Sequence, residues 1–114
     1  MNAYDIILSM VENLDIIGNW DVVLDTPFGE SKAKAVIRNV GQFVSGTING
    51  ENGSFDFDDG TIADDVLTFS KTVDTPIKAT LFITVKINED KFFGSLLIDE
   101  YMKINIKGVK NVNL

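Results

Sequence analysis

Gly18-Asn19-Trp20-Asp21-Val22-Val23-Leu24-Asp25-Thr26-Pro27 puts Trp20, Val22 and Leu24 on one face of an extended chain and Asp21, Val23 and Asp25 on the other. A period of two is the signature of a half-buried strand. Upstream the period differs. Tyr4, Ile7, Met10 or Val11 and Leu14 recur at helical spacing, which predicts an amphipathic helix over 2–14. Asn2 serves as its N-cap, Asp5 lies in its first turn, and Gly18 ends the region.

Downstream, turn residues arrive every ten or so positions, the rhythm of a small barrel or sandwich. The spacing predicts strands over 20–26, 32–40, 42–49, 53–63, 66–73, 77–87, 91–98 and 101–109, with an irregularity near Asp58-Asp59-Gly60. Short connections such as Asn39-Val40-Gly41 and Asn88-Glu89-Asp90 make each neighbouring pair an antiparallel hairpin. The fold class is therefore all-β, an antiparallel meander barrel of about eight strands behind an N-terminal helix, with 1–114 as one domain and 20–110 as the barrel.

An internal repeat supports closure. Asp25-Thr26-Pro27 recurs as Asp74-Thr75-Pro76, and Phe43-Val44-Ser45-Gly46-Thr47-Ile48 is echoed by Phe92-Phe93-Gly94-Ser95-Leu96-Leu97. Gly60 and Gly108 follow at matching distances, and Trp20 matches Phe69. A duplicated four-strand unit follows, its halves related by an approximate twofold. Alternation then directs Trp20, Val22, Leu24, Ile37, Val44, Ile48, Phe55, Phe57, Leu67, Phe69, Leu81, Ile83, Val85, Phe92, Leu96, Met102, Ile104 and Ile106 inward. Ala33 and Ala35 are expected to open space among them, and Gly46 and Gly94 either to do the same or to allow sharp strand curvature as the sheet closes.

Composition excludes several chemistries. The chain has no cysteine and no histidine, so disulfides, thiolate nucleophiles, histidine-based triads and the common zinc ligand sets are absent. A net charge of −7 with one arginine, Arg38, argues against nucleic acid and anionic membranes as partners. No run is long enough to cross a bilayer and the first residues lack a basic n-region, so a cytoplasmic protein is expected. Asp56, Asp58, Asp59, Asp64 and Asp65 form the densest polar cluster. Setting Gly60 at the sixth position of a calcium loop would put Phe55 and Phe57 at ligand positions, so the cluster reads as a solvated edge and turn, and neither metal nor cofactor is expected.

A short helix, Gly18-Asn19-Trp20 at the start of the first strand, and a meander of about eight strands resemble the calycins, the group of lipocalin and fatty-acid-binding barrels. That resemblance implies a ligand in the barrel and a tryptophan at its closed end beneath a basic residue, for which Lys107 or Lys110 is nearest. The chain is shorter than a typical lipocalin, so a large cavity is not expected.

The functional expectation is a lipocalin-like module that binds one small, uncharged, apolar molecule against Trp20, Ile37, Val44, Phe57, Phe69, Ile83, Phe92 and Met102, with no catalytic residue assigned. The helix over 2–14 would lie across one barrel end. Two alternatives stand beside it: a packed barrel serving as an oligomeric interaction or accessory subunit, and a cofactor-free enzyme using Tyr4, Glu30, Glu100 or Tyr101 at a barrel mouth. Val23, Phe43, Phe82, Phe93 and Leu97 are directed outward, an apolar load that predicts a homodimer through Phe43, Phe82 and Phe93.

Overall fold

The computed structural model describes residues 16–51, 53–74 and 78–111. The helix expected over 2–14 lies outside them, as do Thr75 and Pro76 of the second Asp-Thr-Pro. Eight strands run β1 (Gly18–Thr26), β2 (Gly29–Val40), β3 (Val44–Gly50), β4 (Gly53–Ala63), β5 (Val66–Val73), β6 (Ala79–Asn88), β7 (Lys91–Ile98) and β8 (Met102–Asn111). Each pairs antiparallel with its sequence neighbour, and β8 returns to β1, closing an all-β meander barrel. Closure removes the free edges of an open sheet along every seam but that of β4 and β5, which pair at three positions only.

The turns explain the boundaries. Between β4 and β5 only Asp64 and Asp65 are unpaired, with φ of 51° and 65°. Two successive left-handed residues are what a tight primed hairpin demands, and Asp tolerates that region better than most residues. The irregularity near Asp58 is a bulge: Gly46 faces Phe57, whereas Val44 faces Gly60. Asp58 and Asp59 both face solvent as a result, while Phe57 and Gly60 are buried. A second register shift falls between Ile37 and Asn39.

The registers of β1–β4 and β5–β8 follow the same scheme. Trp20 faces Ala35 as Phe69 faces Ile83, and Ile37 faces Gly46 as Val85 faces Gly94. Val44 faces Gly60 as Phe92 faces Gly108. Of the two roles expected of Gly46 and Gly94, they serve curvature and open no space. A Cβ on Gly46 would collide with the carbonyl oxygen of Val36, and one on Gly94 with that of Thr84. Both glycines allow a neighbouring strand to come close, which is how a sheet bends tightly enough to close.

The core is the barrel interior. Ile16, Trp20, Val22, Ile37, Val44, Phe57, Leu67, Phe69, Val85, Ile104 and Ile106 are among its buried members, and no polar or charged residue is buried among the described residues. Met102 departs from expectation. It shares the inward parity of Ile104 but stands at the first position of β8, on the rim, and is 42% exposed.

Candidate functional site

Every strand rises or falls between two barrel ends, and the ends differ. At one, Ile16 and Trp20 are each 2% exposed, and the indole Nε1–H donates to the Ile16 carbonyl oxygen at 2.9 Å. The Phe92 ring stands 5.3 Å from that of Trp20, tilted by 52°. Phe92 lies over Gly108, where any Cβ would meet its ring. These contacts plug the end. Lys110 is the register partner of Trp20, and its stem passes over Gly18.

Towards the other end the interior widens into a cavity of about 760 Å³. Trp20 and Phe92 form its floor, and Val22, Ala33, Ala35, Ile37, Phe57, Phe69, Ile83 and Leu96 are among its walls. Ala33 and Ala35 are the small residues that leave room there. Ser31, Lys32, Glu51, Ser54, Lys71 and Asp74 line the outer part. Several of them are exposed, so the cavity reaches solvent between the start of β2, the β3–β4 turn and the end of β5. Glu51 is tied there by the Lys32 backbone N–H at 3.4 Å.

The opening has a backbone cause. β4 and β5 share only three register pairs, Thr61 with Thr68, Ile62 with Leu67 and Ala63 with Val66, whereas β5 and β6 share eight. Above Thr61 the two strands part. The last rung is reinforced by the Thr61 and Thr68 hydroxyls, 2.9 Å apart. Beyond it the Phe57 and Phe69 rings stack at 4.0 Å and 4°, so an aromatic contact spans the seam where the hydrogen-bond ladder has ended. Such a pair contributes about 0.5–1.5 kcal/mol beyond its buried area.

Of the eight residues expected to contact a ligand, Trp20, Ile37, Phe57, Phe69, Ile83 and Phe92 line this one cavity. Val44 and Met102 do not. Val44 is fully buried in the packed end against Gly60, and Met102 sits on the rim. The polar residues of the mouth escaped the sequence reading, and so did Ile16 at the floor. Ile16 precedes the first strand and has no alternation to betray it, whereas Lys71 continues the inward series of Leu67 and Phe69 and was legible from that pattern.

The acidic cluster divides along the bulged strand. Asp56 accepts from the Thr47 hydroxyl at 2.5 Å and pairs with Arg38 at 3.7 Å, on the outer face of β2–β4. Asp58 and Asp59 flank the open part of the β4–β5 seam. No group of three metal-ligating side chains occurs among the described residues, and no helix there is long and apolar enough to cross a membrane.

No family model and no curated protein matches the chain. Among solved structures it is similar to a redesigned β barrel, with a TM-score of 0.72 and 12% identity over 86% of this chain and 93% of that one. The likeness establishes the eight-stranded barrel fold.

Proposed function

We propose that the barrel is a binding module for one small, uncharged, mainly apolar molecule held between the Trp20–Phe92 floor and the Phe57–Phe69 pair. The cavity carries this reading. Its volume of about 760 Å³ falls within the usual range of small-molecule sites. Its deep part offers no ion to a buried charge, which would cost several kcal/mol to leave unpaired. A polar end on the ligand would lie at the mouth, beside Ser31, Ser54 and Lys71.

The calycin-like reading belongs here too, supported by the placing of Lys110 against Trp20 at the plugged end. The parallel registers of the two halves support a duplicated four-strand unit. A chain without cysteine gains nothing from an oxidising compartment, and we place it in the cytoplasm.

The test is titration with uncharged environment-sensitive dyes, read through dye emission and through Trp20, the only tryptophan. Binding should quench or shift Trp20, and Ala35→Phe should weaken it at least about tenfold, since a cavity filled at its wall loses the ligand's contacts. Ala33→Leu is a milder second variant should Ala35→Phe fold poorly. A panel that leaves the Trp20 spectrum unchanged would overturn the proposal and favour the packed-barrel alternative.

A further inference from the structure

One charged side chain faces the cavity at its open end. Along β5 the inward residues are Leu67, Phe69, Lys71 and Val73, and Lys71 is half-buried in the cavity wall. The other ions at the mouth are exposed: Lys32 has outward parity on β2, Glu51 lies in the β3–β4 turn, and Asp74 follows β5.

The fold does not require a charge where Lys71 stands. Lys71 faces Leu81 as Val22 faces Ala33, so the position that answers to it in β1–β4 holds a valine, 7% exposed. Lys71 also stands at the parted seam. Phe57 and Phe69 stack across that seam, and Phe55 and Lys71 are the next inward residues of their strands towards the mouth. The alkyl stem of a lysine suits such an apolar wall. Its ammonium, however, forms no hydrogen bond or ion pair with a described residue.

We infer that Lys71 is the polar anchor of the ligand site, donating from its ammonium to a carbonyl oxygen at the trailing end of a molecule whose apolar body fills the cavity. This rests on the cavity being the ligand site and names the polar end that the mouth accepts. An ammonium donates hydrogen bonds and cannot accept them, so an acceptor oxygen completes it and a second cation is repelled. The formal charges at the mouth already cancel, Lys32 and Lys71 against Glu51 and Asp74, and the chain carries −7 overall. A neutral acceptor therefore suits the site better than a carboxylate, which the field of the whole chain opposes. Ketones, esters and tertiary amides with an apolar body form the class.

Displacement of an uncharged dye from the full chain tests this, with para-butylacetophenone, para-butylethylbenzene, para-butylbenzylammonium and para-butylbenzoate as a series of one shape. The wild type should bind the ketone about tenfold more tightly than the hydrocarbon, which is about what one charge-assisted hydrogen bond contributes where water partly screens it. The ammonium should bind least. Lys71→Met should bring the ketone down to the hydrocarbon and leave the hydrocarbon unchanged, and Lys71→Glu should place the ammonium above the ketone. Lys32→Met, at the exposed lysine of outward parity, should alter none of these ratios. Circular dichroism checks that each variant is folded. Equal affinity of the wild type for ketone and hydrocarbon, or a ketone preference that survives Lys71→Met, would overturn the inference and leave the apolar cavity standing as a ligand site. A wild type that prefers the benzoate to the ketone would overturn the neutral head group. Failure of the dye itself to bind would overturn the ligand site, and the inference with it.

Discussion

Trp20→Phe probes the plugged end, because it removes one hydrogen bond and one wedge of buried surface while leaving an aromatic ring against Phe92. The pyrrole part of the indole covers about 40 Å² of buried surface, which at ~25 cal/mol/Å² contributes about 1 kcal/mol. The space it vacates, about 40 Å³, adds about 1 kcal/mol because the rigid barrel wall relaxes little around it. Loss of the 2.9 Å bond to the Ile16 carbonyl contributes about 1 kcal/mol more, since that carbonyl is left in a buried place. The expected loss is therefore about 3 kcal/mol, or about 12 °C in Tm for a domain of this size. Urea unfolding followed by far-ultraviolet circular dichroism measures it, and Val109→Ala, on an exposed outward position, provides a control expected within about 0.5 kcal/mol of wild type. A loss below about 1 kcal/mol would mean that the end repacks freely around the smaller ring and that the indole bond is not what fastens Ile16.

Gly94→Ala should prevent folding or cost several kcal/mol, since its methyl group has nowhere to go but into the β6 backbone at Thr84, whereas Gly41→Ala, with open space around it, should be close to neutral; soluble yield and urea midpoints compare the two. Replacing Asp64-Asp65 by Asn-Gly should stabilise the chain by about 0.5–1 kcal/mol, because both positions have positive φ and Asn-Gly accepts that conformation with least strain. Thermal unfolding reads the second effect, and a lower Tm would contradict the turn assignment.

The strand pattern was legible because each strand separates an apolar from a polar face, so Trp20, Val22 and Leu24 announce a direction on their own. The bulge was legible for the same reason: two acids between Phe57 and Gly60 cannot keep strict alternation without burying a charge. Alternation says which way a side chain points but not how far along the barrel it lies. Met102 therefore has the expected parity and yet stands on the rim, and Val44 points inward into the packed end instead of the cavity. An inward glycine is compatible with free volume and with tight curvature alike, and the sequence leaves the choice open, because the approach of β2 to Gly46 and of β6 to Gly94 is a property of the closed sheet. The parting of β4 from β5, which opens the cavity, leaves no mark in either strand taken separately.

That parting bears on how two copies can meet. Above Thr61, β4 and β5 each present backbone groups with no ladder partner between them, and free strand edges are the usual route by which β proteins associate. Here the route is obstructed. The bulge at Asp58 and Asp59 distorts the β4 edge and places two carboxylates beside it, and the Phe57–Phe69 stack bridges the gap from inside. A second chain adding a strand at the seam would have to remove those carboxylates from water, and its own copy of the cluster would repel them. Self-association through the edge is therefore disfavoured by charge. The exposed carboxylates of Asp58 and Asp59 thus hold the parted edge in water on the side where Ser54, Lys71 and Asp74 line the mouth, so that the way in for the proposed ligand is not covered by strand addition.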